Sequence, residues 1–355
     1  MLFMGTFPKD NGRISIVDVA RLAGVSKSTV SRVVSENGGA VSPATQEKIM
    51  KAIEDLGYTR NAMASGLRTS RTYLVLLMVP DIANPFWSEI TRAIQARLEP
   101  EGYFLVLGNT DWSEERQSHY LDLVRAGRFD GVIANSVAQD IACFEGLPVP
   151  AVMIGERSEG GIMDVVGSET YVEARTALDY LHGRGHRRIG IALSQKANER
   201  KRSRRYRAYL DFLAARGLKL DPELVFTMGL SVGDGAELAR RIIELRSRGD
   251  AVSALLCGND LVAIEAINAF RSSALVPGRD ISIVGMDDIP AAALTYPSLS
   301  TIRKPRAEMG RAAASLLLDR LGRPNRPPEK HFFSGELVER ESVCDLRDSL
   351  ELKNT

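Results

Sequence analysis

The stretch Ile16–Val34, IVDVARLAGVSKSTVSRVV, decides how the chain is read. Ser15 stands where a helix cap belongs, Ile16, Val19, Ala20 and Ala23 recur at helical spacing, and Gly24 supplies the left-handed residue that ends a helix. Ser26 caps a second helix in which Val30, Val33 and Val34 turn inward and Lys27, Ser28, Ser31 and Arg32 turn outward. The outward groups are cationic or can both donate and accept hydrogen bonds, which is what base edges in a major groove require. The DNA-facing set of this segment is Ser26, Lys27, Ser28, Thr29, Ser31 and Arg32. A third helix follows, with Ser42 at the cap, Pro43 at the first helical position, Ile49, Ile53 and Leu56 as its apolar stripe, and Gly57 just past its end. Three short helices around one apolar cluster form a domain of about sixty residues, near the lower limit for unaided folding. Taken alone, the two-helix pattern also fits an ordinary amphipathic pair.

A length of 355 residues suits a small head followed by a larger, bilobal body. The whole chain is nearly neutral, with 46 Lys and Arg against 45 Asp and Glu, but residues 1–72 hold ten basic against six acidic residues. The positive excess therefore sits where phosphates would be met, although +4 is too modest to identify a nucleic-acid protein unaided. Cys143, Cys257 and Cys344 are far apart and odd in number, which reads as reduced thiols in a cytoplasmic protein. Met1–Gly12 lacks a basic start and a long apolar core, and no later run approaches a membrane span, so neither secretion nor a membrane partner is expected.

Beyond Thr72 the pattern is α/β. Buried-strand candidates are Leu74–Val79, Tyr103–Leu107, Gly131–Ala134, Ala151–Ile154, Arg188–Leu193, Ala254–Cys257 and Ile281–Gly285. Amphipathic helices are predicted at Pro85–Leu98, Glu114–Ala126, Tyr171–Gly183, Lys201–Ala215, Ala236–Ser247 and Asp260–Arg271. Strand and helix in alternation mean parallel sheet, and such sheets bind ligands at the carboxyl ends of their strands. The loop after the first strand offers Asp81, Asn84, Phe86 and Trp87, a mixture of hydrogen-bonding groups and aromatic faces that suits a sugar ring. Enzyme chemistry is not expected. The first turn has no glycine fingerprint, the cluster Gly233-Asp234-Gly235 breaks off at Leu238, and no P-loop is present. His119, His182, His186 and His331 are not at metal spacing, so neither metal nor cofactor is expected; His182 and His186 read as a cationic helix end.

The ordered series of helix-turn-helix, third helix, Asn61-Ala-x-Ala64-x-x-Leu67, Leu-Arg-Thr linker and VPDIANPFW at Val79–Trp87 resembles the LacI family of bacterial repressors. The resemblance implies an α-helical DNA-binding head at 1–60, a hinge helix and linker at 61–72, a bilobal periplasmic-binding-protein-like body at 73–345 and a tail at 346–355. Its first lobe would take about 73–168 with 305–333, and its second about 169–304 with 334–345. The chain would cross between lobes near Gly167–Tyr171, Thr301–Arg306 and Phe333–Leu337. Asn61, Ala64 and Leu67 would contact DNA, with Leu67 as a wedge between base steps of the minor groove. An isolated helix of about eight residues is too short to stand in water and would fold only on DNA beside its mate; the other reading of the segment is a flexible linker. Arg60 stands where the family usually has proline, and Gly66 lowers helix propensity.

The same resemblance carries Asn259, Asp260 and Asp287 to the effector. Asp260 could instead only cap its helix, and Asp288 reads as a cap. In RKRSRRYRAYLDFL, Arg200–Leu213, Arg202 and Tyr206 match the family's arginine and aromatic, and Arg205 replaces the usual glycine. One reading is an anionic effector held by Arg202 with Arg205 or Lys196; the other is a solvated basic face with only Arg202 reaching a neutral sugar. A free-standing solute receptor would share the body but not the head. The implied protein is a homodimeric transcriptional repressor on a pseudo-palindromic double-stranded operator, governed by a sugar-like effector. The tail Glu341–Thr355 has no sustained heptad, so a dimer is expected and a tail-zipped tetramer is not.

Overall fold

The computed structural model describes residues 14–34, 41–58, 71–137, 141–155, 163–194, 203–250 and 252–347. The chain falls into two compact units, Met1–Thr72 and Tyr73–Thr355. Asn61, Ala64 and Leu67, and also Lys196 and Arg202, lie outside the described residues.

The head contains α1 (Ile16–Ala23), α2 (Lys27–Val34) and α3 (Pro43–Leu56). Ser15 starts α1: its N–H (3.0 Å) and its hydroxyl (2.6 Å) both donate to Asp18 Oδ2 and hold that carboxyl below its usual pKa, while its carbonyl accepts from Asp18 N at 3.0 Å. Gly24 ends the helix at φ 65°, a conformation that costs glycine nothing. Ser26 Oγ accepts from Thr29 N at 3.1 Å and Ser42 Oγ from Thr45 N at 3.4 Å, so both later helices have side-chain caps. Val19, Ala20, Val30, Ile49 and Ala52 are buried together, with Val33, Val34, Ile53 and Leu56 packed against them.

The body has two six-stranded sheets. The first is built from β1 (Leu74–Val79), β2 (Phe104–Asn109), β3 (Gly131–Ala134), β4 (Ala151–Ile154), β5 (Asp164–Ser168) and β11 (Lys330–Phe333), in the order β11-β5-β4-β3-β1-β2. The second contains β6 (Ile189–Ser194), β7 (Val225–Met228), β8 (Ala254–Leu256), β9 (Ser282–Asp287), β10 (Ser300–Arg303) and β12 (Glu336–Val338), in the order β12-β10-β9-β8-β6-β7. All pairs are parallel except β10 with β12.

Helices cover both faces of each sheet, as the period of two in a strand requires. Val75, Leu77 and Val79 pack with α4 (Phe86–Leu98) and α10 (Arg306–Gly322), whereas Leu76 and Met78 pack with α5 (Glu114–Arg125). In the second sheet Leu255, Ile281 and Ile283 meet α8 (Asp234–Ser247) and α9 (Asp260–Phe270), and Ile191, Leu193, Leu256 and Val284 meet α6 (Thr170–Gly183) and α7 (Arg204–Ala215). The chain passes between the sheets three times, after Ser168, after Arg303 and after Phe333.

Three expectations are corrected. Tyr103–Leu107 is not a buried strand: β2 is the edge of its sheet, and Phe104 is 69% exposed. The seven strand candidates omit β5, β7, β10, β11 and β12, and the helices predicted omit α10. The histidines do not form a cationic helix end. His186 is fully buried between Ser253 Oγ (3.1 Å) and the Cys344 carbonyl (3.2 Å), and burial lowers the pKa of both His182 and His186. Arg187 supplies the cation there, donating to the carbonyls of His182 and His186. Cys143, Cys257 and Cys344 are free thiols, and among the described residues no helix is long and apolar enough to cross a membrane.

Candidate functional site

In the head, α2 presents Lys27, Ser28 and Arg32 on its exposed side and packs Val30 into the core. Ser26 is exposed, and Thr29 and Ser31 are half-buried. Ser26 Oγ lies 2.7 Å from Ser28 Oγ and 2.8 Å from Thr29 Oγ1, so two hydroxyls gather on that of Ser26 at the start of the helix, beside Lys27.

In the body, residues from the carboxyl ends of both sheets converge around the three crossings. The loop after β1 is folded by its own side chains. Asp81 Oδ1 accepts from Ala83 N at 2.8 Å and Asn84 Oδ1 from Phe86 N at 2.9 Å, which aims the Phe86 ring toward Lys304. Phe86 and Trp87 stack edge to face at 5.1 Å, and both belong to the first lobe's core.

Lys304, on the second crossing, places Nζ 5.5 Å from the centre of the Phe86 ring and 3.4 Å from Asp287 Oδ1 at the end of β9. A side chain from each lobe is thus tied to one cation. Arg306 extends the tie: its Nε donates to Glu89 Oε2 on α4 at 2.7 Å, and its Nη1 to the carbonyl of Asp287. Glu173, on α6 and fully enclosed, receives the Ser168 hydroxyl and the Gly335 N–H, both at 3.1 Å, and so joins the first crossing to the third. Burial pushes its pKa up against the pull of Lys304.

Asp287 and Asp288 both hold positive φ, 138° and 55°, a conformation that side chains other than glycine rarely adopt. Their surroundings explain how this turn persists. Asp260 Oδ2 accepts from Ile289 N at 2.9 Å and Oδ1 from the Thr301 hydroxyl, while Asp288 is gripped by Arg303 and Arg340 at 2.6 Å each. Burial alone would raise the pKa of Asp288, but its two arginines outweigh it. Burial also raises Asp287, opposed by Lys304 and Arg205. Asp260 is pushed up to about 7 by burial and then by the charge of Asp287.

This geometry revises two expectations. Asp288 is not a cap but an ion-paired anchor. Asp260 is not a cap either: Asn259 caps α9, its Oδ1 accepting from Val262 N and its Nδ2 donating to the Leu230 carbonyl, both at 2.9 Å. Asp260 is 0% exposed with both oxygens engaged, so its carboxylate fastens the turn that carries Asp287 instead of reaching a ligand. The glycine cluster at Gly233 and Gly235 gives its N–H groups to the Glu265 carboxylate at 2.8–3.1 Å, so an internal anion fills the place of a phosphate.

Lys304, Arg306 and Glu173 were not singled out from sequence. Their only signal was position, at or near the three crossings. The basic segment that opens α7 divides three ways. Arg204 lies over the Phe332 ring of the first lobe at 5.3 Å, Arg207 faces solvent near Asp211, and Arg205 turns toward Gly258.

A helix-turn-helix head followed by two parallel-sheet lobes is the architecture of a DNA-binding regulator. Residues 15–61 match the family described as "Bacterial regulatory proteins, lacI family", and residues 178–343 match "Periplasmic binding protein-like domain". The HTH-type transcriptional regulator RegA of Clostridium saccharobutylicum is 31% identical over 93% of this chain and 99% of its own length. The ribose operon repressor of Bacillus subtilis is 33% identical over 86% of this chain and 90% of its own. Among solved structures, the Lac repressor dimer bound to operator and the anti-inducer ONPF is 25% identical, with a TM-score of 0.78 over 94% of this chain and 99% of that one. A CelR–cellobiose complex is 28% identical, with a TM-score of 0.68 over 93% of this chain and 100% of that one. The chain belongs to the lacI family of bacterial regulatory proteins and is a DNA-binding transcriptional regulator.

Proposed function

We propose that the protein is a cytoplasmic repressor of carbohydrate-metabolism genes, acting as a homodimer on a pseudo-palindromic operator and controlled by a sugar-like effector held between the lobes. Lys27, Ser28 and Arg32, with Ser26, Thr29 and Ser31 around them, read the major groove, and Asn61, Ala64 and Leu67 enter the minor groove at the operator centre. Asp81, Asn84, Phe86 and Asp287 meet the effector, together with Arg202. Trp87 supports Phe86 from the core, Asn259 and Asp260 build the loop walls, and no enzymatic step is involved.

The observation that carries this reading is the Lys304 tie between Phe86 and Asp287. It puts an aromatic face, an acid and a cation, drawn from both lobes, beside the segments about which the lobes would turn. A ligand seated there changes the angle between lobes and, through the linker, the spacing of two hinges, with a coupling on the order of 1–3 kcal/mol. Relatives named for ribose and solved with cellobiose support a carbohydrate effector.

The test is selection of the preferred duplex by the full-length chain, followed by titration with and without neutral and anionic sugars. A two-fold symmetric site whose affinity changes with a sugar is expected. A non-symmetric site, or none, would overturn the operator reading.

A further inference from the structure

We infer that the effector carries a negative charge, a carboxylate or a phosphate on a sugar frame, and that Arg205 is the residue that selects it. The inference rests on the effector cleft proposed above.

Arg205 lies in the first turn of α7, beside Gly258 just after β8, and its charge reaches Asp287 at the end of β9. A Cβ added to Gly258 would stand 3.5 Å from Arg205 Nη1 and 2.4 Å from Leu230 Cδ2, so the guanidinium lies close to the Gly258 backbone in a space that a side chain would fill. Its Nε is buried without a hydrogen-bond acceptor. No described carboxylate forms an ion pair with it, although its charge acts on both Asp287 and Glu173.

Those two acids are already committed. Asp287 is paired with Lys304, and Glu173 is held by Ser168 and Gly335. Burial disfavours the charged form of each. A guanidinium half withdrawn from water with its neighbouring acids engaged elsewhere carries a desolvation cost, and an incoming anion offsets it with charge-assisted, fork-shaped hydrogen bonds. A neutral hydroxyl would leave the charge uncompensated. The other arginines of the segment do not compete, since Arg204 stacks on Phe332 and Arg207 faces solvent. A half-buried arginine without an ion-pair partner among the described residues thus separates this site from one built for neutral sugars.

The test uses full-length protein, thermal shift and calorimetric titration with D-gluconate, D-glucuronate, glucose 6-phosphate and ribose 5-phosphate, each beside neutral D-glucose and D-ribose. At least one anion should bind and its neutral counterpart should not; the carboxylate and phosphate arms tell the two anions apart. Arg205→Gln should weaken that binding by roughly 10- to 100-fold, Arg205→Lys should retain part of it, and operator affinity without ligand should stay unchanged in both. Binding of a neutral sugar with no anion preferred overturns the charge assignment and leaves the effector cleft standing. Anion binding undiminished in Arg205→Gln overturns the role of Arg205. Silence with all six compounds overturns the sugar-effector reading and the inference with it.

Discussion

Asp287 and Asp260 are two buried carboxyl groups with opposite duties. Asp287 sits on a strained turn beside the Lys304 amine, where we propose that the effector binds, whereas Asp260 is spent inside the fold on Ile289 and Thr301. Asp287→Asn should therefore keep operator affinity within about twofold of the parent's while abolishing its change on adding effector, as read by fluorescence anisotropy; a preserved response would move the cleft elsewhere. Asp260→Asn should act on stability. In the folded chain this carboxyl holds its proton up to about pH 7, against 3.8 in the open chain. Between those values the native state binds more protons, so raising pH through the window removes stability, by at most about 1.4 kcal/mol per pH unit. The asparagine amide can still accept from Ile289 N and donate to Thr301 Oγ1. Urea midpoints from pH 5 to 8 should fall less steeply for the variant, and an identical slope would show that Asp260 is not the titrating group. The family resemblance pointed to Asp287, but the duty of Asp260 was not legible in the sequence, because Asn259 and Asp260 are both good caps on paper and only the Leu230 carbonyl and the Ile289 amide, distant in sequence or loop-borne, divide the work between them.

At the scale of elements, local pattern decided most of what could be read. β1, β3 and β4 have the ends expected of them because each is a continuous apolar run between turn residues. β5 escaped notice because it opens on Asp164, whose burial depends on Arg320, Arg326 and the Glu329 N–H, all more than 150 residues later. α10 has no clean apolar stripe, since it packs against α4 on one side and β3, β4 and β5 on the other. The head is the reverse case: its caps, turns and core residues are all local, and Ser42, Gly24 and Gly57 sit where they were expected. Arg32 lies on the exposed side of α2, so Arg32→Ala should relax preference at one symmetric operator position by about 1–3 kcal/mol. A uniform loss across all sequences would reassign it to a phosphate.

The whole molecule poses the question of how two copies meet. Among the described residues β2 has no neighbour on its outer edge and exposes Phe104 and Val106, and the loop before β10 exposes Leu294 and Tyr296 at 84% and 77%. Single exposed apolar residues are ordinary, but an uncovered sheet edge calls for a cover. Phe104→Asp should shift the full-length protein toward monomer in sedimentation and weaken operator binding, with the far-ultraviolet spectrum unchanged; a dimer of undiminished strength would place the contact on another face.

The three passages between the sheets have a bearing on how the chain is made. Each lobe is discontinuous: the first lobe waits for α10, whose Ala313, Ala314 and Leu317 complete its core, and for β11, while the second waits for β12. On the ribosome the first sheet would remain uncapped while β6 to β10 of the second sheet are synthesised, with the apolar face of β1, β3 and β4 open to other chains. Nascent chains halted near residue 300 should be protease-sensitive and bound by chaperones, and those extended past residue 338 should become resistant in both lobes within a narrow interval. Two lobes that look separable in space would thus reach the folded state almost together in time.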